Sequence, residues 1–337
     1  MWTSELTDFH IPVSTKERDM PRAVQLDAYG GVDQLKIVDR AMPKIGAGDV
    51  LVRVVAAGTN PGEISIREGY LRDMFPMEFP FGQGSDFAGC VEAVGAGVSD
   101  VAIGDDVLGW SERRTAHADF VAVPATQLIA RPPALDWYRA GSLFVAATTA
   151  VGAVRAVSLR PGDVVVISGA AGGVGSLAVQ LAKREKARVL GITSDANKAF
   201  VEAVGAEHVP YGDGLAERLR AIAPQGIDAF IDLFGSGYVD LALELGVSND
   251  RIDTIIDFEA AGKHHVKADG SAAAGDRATL AHVADLIAWG KIVMPIAAVY
   301  PFAAVRDAYL ELAKRKTHGK IVLDLSGTVT TPLHPRA

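Results

Sequence analysis

The stretch that decides the fold is Asp163-Val-Val-Val-Ile-Ser-Gly-Ala-Ala-Gly-Gly-Val-Gly-Ser-Leu-Ala-Val-Gln-Leu-Ala-Lys-Arg-Glu185. Its first part, Val164 to Ile167, is an unbroken β-branched run, which is typical of a parallel strand covered on both faces. Beyond a glycine-rich turn, the apolar residues recur with the period of a helix, at Val174, Leu177 and Ala178. The stretch therefore predicts a buried strand, a turn and an amphipathic helix in immediate succession.

The turn carries a variant of the dinucleotide fingerprint, with Ala170 in place of the first glycine, followed by Gly172 and Gly175. Small residues there let the backbone turn sharply and approach a pyrophosphate, which the free N–H groups and the dipole of the helix then bind. A second strand-like run, Ala187 to Ile192, follows at the distance of a βαβ unit. The sequence predicts that a nucleotide cofactor binds along the whole turn: Ala170, Ala171, Gly172, Gly173, Val174 and Gly175. The alternative is a purely structural turn between strand and helix.

Composition and charge argue against several classes of protein. The chain has 337 residues, of which 49% are hydrophobic, and its formal net charge of −8 disfavours binding to nucleic acid or to anionic membranes. It has no apolar run near the ~20 residues that a bilayer span needs, and its N-terminus lacks the apolar core of a secretory signal. Cys90 is the only cysteine, which excludes an internal disulfide and a multi-cysteine zinc site. We therefore expect a cytoplasmic protein that acts on a small molecule, with no nucleic-acid or membrane partner.

The periodicity of the sequence changes along the chain and divides it into domains. Residues 1–19 are polar and without a clear period, which indicates an N-terminal extension. Short strand-like runs between glycine-rich turns fill 20–143, whereas 144–295 alternates strands and helices, ending with predicted strands at 251–257 and 291–296. Such alternation predicts the α/β class, with a doubly wound parallel sheet of the Rossmann type. A terminal strand within 296–337 is expected to return to the first domain.

Five motifs carry a resemblance to a known family: Gly58-Thr59-Asn60-Pro61, Gly84-Ser85-Asp86-Phe87-Ala88-Gly89, Gly104-Asp105-Asp106-Val107, Ala147-Thr148-Thr149-Ala150 and Ala170-Ala171-Gly172-Gly173-Val174-Gly175. Over about residues 20–325 the chain resembles the medium-chain dehydrogenase/reductase superfamily. The last motif, together with Gln180-Leu181-Ala182-Lys183, is similar to that of its quinone-oxidoreductase branch. The resemblance implies a β-rich, partly open GroES-like barrel for the first domain, a Rossmann domain for the second, a nicotinamide cofactor and a homodimer.

The residues at the zinc-ligand positions of the superfamily do not suit zinc. Zinc-dependent members carry a Gly-His-Glu motif where this chain has Gly84-Ser85-Asp86, so the imidazole ligand is missing. Their first cysteine ligand corresponds to the neighbourhood of Asn60-Pro61, which has neither sulfur nor imidazole. Catalytic zinc needs three protein ligands and an open position, and the scattered histidines do not assemble them. We predict that the protein has no metal site.

The end of the second Rossmann strand predicts the phosphorylated cofactor, NADPH. NAD-preferring domains place an acidic residue there, whereas this chain has Thr193 followed by Ser194, with Lys198 one helical turn further on. In the resembling family a serine or lysine at this place, and a tyrosine after the next strand, contact the 2′-phosphate; Tyr211 has the tyrosine's position here. The alternatives are a helix cap for Ser194, a solvated charge for Lys198 and a surface turn for Tyr211. Asp195, beside them, disfavours a phosphate.

Three residues are candidates for the catalytic site. In the resembling family, the asparagine at Asn60 lies beside the nicotinamide and the substrate, and the threonine at Thr149 lies close to the nicotinamide. Tyr70 follows Asn60 closely enough to share its cleft and to protonate the reduced acceptor. The alternatives are an ordinary turn pair for Asn60-Pro61, a packing role for Thr149, and a pocket-lining or surface position for Tyr70. Phe234, at the end of a predicted strand, is expected to border the nicotinamide.

These features favour a zinc-independent, NADPH-dependent oxidoreductase that transfers hydride to a quinone or to an electron-poor C=C bond. Without a metal, the negative charge that develops on the acceptor has to be delocalised and stabilised by hydrogen bonds, which suits such activated acceptors. An enoyl reductase or reductive cyclase of a polyketide-type pathway is the alternative enzyme. A non-catalytic NADPH-binding sensor is the alternative from a different class.

Overall fold

The computed structural model describes residues 20–334, and the predicted extension 1–19 lies outside them. Contacts between residues divide the chain into two compact units. The first unit consists of Met1–Phe144 and Ile296–Ala337, and the second consists of Val145–Pro295. The first unit is therefore discontinuous in sequence, because the second is inserted into it.

Strands and helices follow one another in three stretches of the chain. The first stretch contains β1 (Arg22–Gln25), β2 (Lys36–Asp39), β3 (Asp49–Gly58), α1 (Pro61–Arg67), β4 (Asp86–Val94), β5 (Asp106–Trp110), β6 (Phe120–Pro124), β7 (Leu128–Ala130), α2 (Trp137–Ala140) and α3 (Phe144–Ala156). The second contains β8 (Val164–Ser168), α4 (Gly173–Arg184), β9 (Arg188–Thr193), α5 (Lys198–Ala203), β10 (Ala206–Pro210), α6 (Leu215–Ile222), β11 (Ala229–Asp232), α7 (Tyr238–Glu244), β12 (Ile252–Thr254), α8 (Phe258–His264) and α9 (Arg277–Ala288). The third contains β13 (Ile296–Pro301), α10 (Val305–Ala313) and β14 (Lys320–Asp324). Within residues 20–334, no helix has the length and apolar character of a membrane span.

A seven-stranded sheet forms the framework of the first unit. Its strand order is β13-β14-β3-β4-β5-β7, with β6 also paired to β3. Every one of these pairings is antiparallel except that of β13 with β14. The sheet and α10 bury a common apolar core, which includes Val52 on β3, Phe87 on β4, Tyr309 on α10 and Leu323 on β14.

β14 joins this sheet from far along the chain, as expected of the terminal strand. It pairs antiparallel with β3, with Val322 opposite Gly58. The N–H of Thr59, the residue after β3, donates to the carbonyl of Ile321 at 3.0 Å. This register brings the side chain of Lys320 to the Thr59–Asn60 segment that precedes α1.

A five-stranded parallel sheet forms the centre of the second unit, in the order β10-β9-β8-β11-β12. The chain runs outward from β8 to β9 and β10 on one side and to β11 and β12 on the other, so the strand order reverses at β8. This is the doubly wound arrangement that the sequence predicts. In such sheets, ligands bind at the carboxyl ends of the strands beside the reversal. The predicted stripe of α4 is confirmed in part, because Leu177 and Ala178 are fully buried whereas Val174 is half-buried.

The predicted strand at 291–296 is wrong. The strand found there is β13, which begins at Ile296 and pairs with β14 in the sheet of the first unit. The reason lies in Gln180 on α4, whose side chain engages the backbone of Val293. Its Nε2 donates to the Val293 carbonyl at 2.7 Å, and its Oε1 accepts the Val293 N–H at 2.8 Å. Because the N–H and the carbonyl of Val293 are already hydrogen-bonded to Gln180, the segment does not add a strand to the parallel sheet.

β12 contains a fully buried carboxyl group, that of Asp253. Its Oδ1 accepts the N–H of Asp269 at 2.7 Å, while its Oδ2 has no hydrogen-bond partner among residues 20–334. Burial raises the pKa of Asp253 from its ordinary 3.8 to about 7. The negative charges of Asp269 and Asp232 act in the same direction, and the nearby Lys267 opposes them. The folded chain therefore holds a proton here that the unfolded chain releases at lower pH.

This carboxyl group is expected to make the free energy of unfolding fall as the pH rises from about 4 to about 7, by at most about 4 kcal/mol, and then level off. The sign follows because the pKa is higher in the folded state, so deprotonation favours unfolding. Asp253→Asn has no carboxyl to titrate, and its Tm relative to wild type should rise across this range. Thermal unfolding at several pH values measures the difference, with Asp213→Asn, an exposed site, as the control. Parallel pH profiles for Asp253→Asn and wild type would contradict the prediction.

Candidate functional site

The glycine-rich turn passes from β8 into α4 and leaves the start of the helix open. Gly169 has a φ of +60°, a left-handed conformation, and α4 begins after Gly172, its N-cap residue. Within the described chain, no side-chain hydrogen bond caps this end. The first N–H groups of a helix lack intrahelical partners and, with the helix dipole, favour an anion. Gly175 permits the tight packing, because a Cβ there would lie 2.1 Å from the Gly169 carbonyl oxygen.

The alanine that replaces the first glycine of the fingerprint is accommodated by a glycine on the neighbouring strand. Ala170 is fully buried, and its N–H donates to the Ile192 carbonyl on β9 at 3.2 Å. A Cβ on Gly191 would lie 3.0 Å from the Ala170 Cβ and 3.1 Å from the Ala206 Cβ. The absent side chain at Gly191 thus makes room for Ala170. The fingerprint keeps its geometry although its first glycine is missing.

A buried polar group joins the carboxyl ends of three strands, and we call it the switch-point cluster. It consists of Ser168 on β8, Asp232 on β11 and Thr254 on β12, each fully buried and each the last residue of its strand. Ser168 Oγ donates to Asp232 Oδ1 and Thr254 Oγ1 donates to Asp232 Oδ2, both at 2.8 Å. Asp232 Oδ1 also accepts the N–H groups of Phe234 and Gly235, at 3.0 and 2.9 Å. The cluster therefore fixes the turn that carries Phe234.

This turn lies beside the glycine-rich turn. A Cβ on Gly169 would lie 3.8 Å from the Cβ of Phe234. Phe234 is half-buried, and its ring contacts that of Tyr238 edge-on, with centroids 6.2 Å apart. The structure therefore brings Phe234 to the fingerprint. The cluster that holds it was missed by the sequence analysis, although three polar residues at the ends of buried strands are a signal that could have shown it.

The residues predicted for the 2′-phosphate lie at or after the carboxyl ends of two paired strands, β9 and β10. Asn197, which the sequence analysis did not include, donates through Nδ2 to Thr193 Oγ1 and to Ser194 Oγ, both at 3.2 Å. A hydroxyl that accepts a hydrogen bond can still donate its own proton, so both hydroxyls can bind an anion. Lys198 is exposed, with its Nζ 3.9 Å from Glu202, and Tyr211 is 60% exposed. Ser194, Lys198 and Tyr211 are thus open to the solvent to different degrees, whereas Thr193 is 7% exposed.

A second group of buried polar side chains lies in the first unit, and we call it the Asn60 cluster. Its members are at most 5% exposed: Thr59, Asn60, Glu63, Gln83, Asp86, Tyr309 and Lys320. They come from the start of α1, from the segment that leads into β4, and from α10 and β14. The cluster thus contains two carboxyl groups and one ammonium group away from water.

The side-chain amide of Asn60 is engaged at both ends within this cluster. Its Nδ2 donates to Asp86 Oδ2 at 3.1 Å and to Glu63 Oε1 at 3.4 Å. Its Oδ1 accepts from the Nζ of Lys320 at 2.5 Å. Its backbone N–H donates to Glu63 Oε2 at 2.9 Å, which satisfies a donor at the start of α1.

Glu63 connects Asn60 to the rest of the cluster. Its Oε1 accepts the N–H of Ser85 at 2.8 Å, and its Oε2 accepts the hydroxyl of Tyr309 at 2.5 Å. Burial, and then the charge of Glu63, raise the pKa of Tyr309 well above its ordinary value, so this hydroxyl stays protonated. Burial also lowers the pKa of Lys320, against the effect of Asp86 and Glu63. The buried carboxylate of Glu63 is therefore stabilised by hydrogen-bond donors from several parts of the first unit.

The two other predicted catalytic residues, Tyr70 and Thr149, form no hydrogen bond or ion pair with the Asn60 cluster among the described residues. Tyr70, in the turn after α1, is 79% exposed, and its N–H donates to the Ser65 carbonyl at 2.9 Å. Asn60, in the same unit, is 4% exposed. Thr149 lies in α3 and in the second unit, where it is 6% exposed. The catalytic roles of these three residues stay predictions.

Among residues 20–334, no group of three or more His, Cys, Asp or Glu side chains is arranged to hold a metal ion. Cys90 lies on β4, and its thiol donates to Asp106 Oδ1 at 3.3 Å. Burial, with the help of Asp106, raises the pKa of Cys90 to about 11, so the thiol stays protonated at neutral pH. It is therefore a poor metal ligand and a poor nucleophile.

Comparison with known proteins supports the resemblance. The family model of the alcohol dehydrogenase GroES-like domain matches residues 46–133, and that of the zinc-binding dehydrogenases matches 204–323. The quinone oxidoreductase of Rattus norvegicus is 31% identical to this chain, over 68% of the chain and 71% of that protein. The chain belongs to the quinone-oxidoreductase-like branch of the medium-chain dehydrogenase/reductase superfamily.

Other relatives of this quinone-oxidoreductase-like protein extend the likeness over most of its length. The human mitochondrial NAD(P)H oxidoreductase RTN4IP1 is 28% identical, over 93% of this chain and 91% of that protein. The structure of the quinone oxidoreductase from Coxiella burnetii covers 90% of this chain and 99% of its own, with a TM-score of 0.82 and 29% identity. The chain spans between 45% and 61% of five further curated relatives. The chain is thus a member of an oxidoreductase family, whose NAD(P)H-dependent members indicate a nicotinamide cofactor.

Proposed function

We propose that this protein is a zinc-independent, NADPH-dependent reductase that passes hydride to a quinone or to an electron-poor C=C bond. The observation that carries the proposal is the open start of α4, next to a strand end that presents the hydroxyls of Thr193 and Ser194. When bound, NADPH supplies the hydride, which is two electrons with one proton. One proton, from Tyr70 or from solvent, would complete the reduced acceptor and leave NADP⁺.

The second unit has residues suited to each part of the dinucleotide. The first N–H groups of α4, behind Gly172, would bind the pyrophosphate. Thr193, Ser194 and Lys198 would hold the 2′-phosphate, because hydroxyl and ammonium groups stabilise an anion that a carboxylate would repel. Phe234 would border the nicotinamide, since the switch-point cluster holds its turn beside Gly169.

The donor chemistry of the Asn60 cluster supports zinc independence. The carboxyl group of Glu63 already accepts hydrogen bonds from two N–H groups and a hydroxyl. The Nζ of Lys320 lies 3.7 Å from Asp86 Oδ2 and 2.9 Å from the Thr59 carbonyl, so a zinc ion there would face a like charge. Polarisation of the acceptor would then come from hydrogen bonds, which is enough for quinones and enones because their negative charge is delocalised.

Steady-state and stopped-flow oxidation of NADPH and of NADH, with a panel of quinones and a panel of enones, tests the proposal. We expect turnover that persists after treatment with a metal chelator. We also expect an apparent KM at least about tenfold lower for NADPH, which corresponds to about 1.4 kcal/mol. Equal KM values would contradict the cofactor assignment, and activity lost to the chelator and restored by zinc would contradict zinc independence. Turnover of enones alone would favour an enoyl reductase, and tight NADPH binding without turnover would favour a sensor.

Asn60→Ala is expected to lower kcat by about 10- to 100-fold while changing the Kd for NADPH little. We expect kcat to fall because, in the resembling family, the asparagine at this position lies beside the nicotinamide and the substrate. We expect the Kd to change little because Asn60 belongs to the first unit, whereas the proposed NADPH-binding residues belong to the second. Single-turnover kinetics give the rate of hydride transfer, and a fluorescence titration gives the Kd. Asn249→Ala, an exposed site, is the matched control. Unchanged turnover in Asn60→Ala would remove this residue from the mechanism.

We also propose that the protein is a homodimer and that it acts in the cytoplasm. The family resemblance supports the dimer, and the composition supports the location. Sedimentation velocity measures the oligomeric state, and imaging of the tagged protein in its own cells measures the location.

A further inference from the structure

The ammonium group of Lys320 lies among oxygen atoms in the interior of the first unit. Its Nζ donates to the Thr59 carbonyl at 2.9 Å and to Asn60 Oδ1 at 2.5 Å, and it lies 3.7 Å from Asp86 Oδ2. The Lys320 side chain is 5% exposed and that of Asp86 is fully buried. Lysine is almost never buried to this degree unless it is paired. These three oxygen atoms form the oxygen cage of Lys320.

Two acidic side chains lie at or near the oxygen cage of Lys320, and their negative charges favour a cation there. Asp86 is part of it, and Glu63 is linked to it through the Nδ2 of Asn60. A second cation, the Arg67 guanidinium, lies over the ring of Tyr309, 5.2 Å from its centroid. Arg67 pairs with Glu68, whose Oε1 lies 3.3 Å from the Arg67 Nη2, so the region contains three acidic and two basic side chains. Removing one partner of such a group leaves a buried charge without compensation, which is far more unfavourable than the loss of an exposed pair.

The amide of Asn60 has one orientation that this arrangement permits. Its oxygen faces the ammonium of Lys320, and its nitrogen faces the carboxyl groups of Asp86 and Glu63. The flipped amide would place two donors against the ammonium and its oxygen against two carboxylates. Lys320, at the oxygen of the amide, and the two acids, at its nitrogen, therefore favour the same orientation of the Asn60 side chain.

We infer that the ammonium of Lys320 is the resident cation of this oxygen cage and the positioning residue that orients the amide of Asn60. The inference deepens the proposed function, because Asn60 matters for catalysis only if the protein is the reductase proposed above. The cage itself would exist in either case. Three oxygen atoms around one nitrogen suit an ammonium, which has three N–H donors on one atom, better than the planar fork of a guanidinium.

Chemical rescue of the full-length chain tests this assignment. Lys320→Ala removes the atoms of propylammonium and leaves a cavity of that shape. Its Tm should lie several degrees below that of wild type. Propylammonium chloride at about 100 mM should then raise it by about 2 to 4 °C, in a saturable way, if the ion binds with a Kd of about 10 mM. Sodium chloride and tetramethylammonium chloride should not do so, because neither cation has an N–H donor.

The matched control is Lys36→Ala, which removes an exposed lysine that lies 2.7 Å from Asp27. The Tm of this variant should respond to propylammonium no more than that of wild type. Equal effects of the three salts on Lys320→Ala, or equal rescue of both variants, would overturn the assignment. If Lys320→Ala folds poorly, the amine is added during refolding, and a yield independent of the amine also counts against it.

A second pair of variants tests the charge balance without a cavity. Lys320→Met keeps most of the stem but removes the charge, and Asp86→Asn in addition removes the carboxylate that is left uncompensated. We expect the double variant to have the higher Tm of the two, and the opposite order would contradict the resident-cation role.

The positioning role has a separate kinetic readout. Lys320→Ala should lower kcat without changing the KM for NADPH, and propylammonium should restore kcat over the same concentration range as Tm. Restoration of Tm without any restoration of kcat would refute the positioning role. If the wild-type protein shows no reductase activity, the proposed function fails and the Tm experiments still decide the cation assignment.

Discussion

Gly172→Val is expected to abolish measurable NADPH binding, raising the Kd by at least about 100-fold, or about 2.7 kcal/mol. A Cβ at this position would lie 3.3 Å from the Gly169 carbonyl oxygen, which would have to move by a few tenths of an ångström, and would meet no other heavy atom within 4 Å. The branched side chain would, however, cover the open start of α4. The pyrophosphate could then no longer approach the N–H groups of the helix.

Two further variants separate binding from folding. Gly175→Val should lower the Tm as well as binding, because its Cβ would lie 2.1 Å from the Gly169 carbonyl oxygen. Gly262→Val, at an exposed position of α8 with open space around it, should change neither quantity much. Fluorescence titration and thermal unfolding measure both effects in all three variants. Normal NADPH affinity in Gly172→Val would show that the turn is structural and that the cofactor reading is wrong.

Glu63→Ala is expected to be the most destabilising single substitution in the first unit, by about 3 to 5 kcal/mol. It would remove the acceptor of the Asn60 N–H, the Ser85 N–H and the Tyr309 hydroxyl, all of them buried or partly buried. It would also remove one of the two carboxylates that favour the charged form of Lys320. Denaturant unfolding monitored by tryptophan fluorescence measures the loss.

Glu92→Ala is the matched control for this prediction. Glu92 lies on β4 and pairs with Arg53 at 3.2 Å, but its side chain is 47% exposed. Exposed pairs of this kind contribute about 0 to 1 kcal/mol. A similar loss of stability in Glu63→Ala and Glu92→Ala would mean that the Asn60 cluster does not stabilise the fold as its contacts indicate.

The fold of the second unit could be predicted because its signals are local. The strand β8, the turn and α4 lie in one stretch, where a β-branched run is followed at once by a helical stripe. The family resemblance rests on short motifs for the same reason. The strand at 291–296 was predicted wrongly because its hydrogen bonds are decided by Gln180, 113 residues away in sequence. A local pattern contains no information about such a partner.

Local sequence patterns also explain which residues of the candidate sites could be predicted and which could not. Asn60 and Phe234 stand in motifs or at strand ends, where a polar or aromatic residue is conspicuous. The partners that fix them were not predicted, since Lys320 is 260 residues from Asn60 and Tyr309 is 246 residues from Glu63. That the missing side chain of Gly191 makes room for Ala170 is likewise visible only in the structure, where Gly191 on β9 lies against Ala170. Burial of the Asn60 amide follows from these distant contacts.

The late position of β14 in the chain has a consequence for synthesis on the ribosome. The strands of the second unit all lie between Val164 and Thr254, so they can pair before the last part of the chain is made. Glu63 and Asp86 are made early, whereas the ammonium of Lys320 is made only 234 residues after Asp86. During this interval their carboxylates have to stay hydrated, and the interior of the first unit cannot close around them. Completion of the Asn60 cluster is therefore expected only after β14 has left the ribosome.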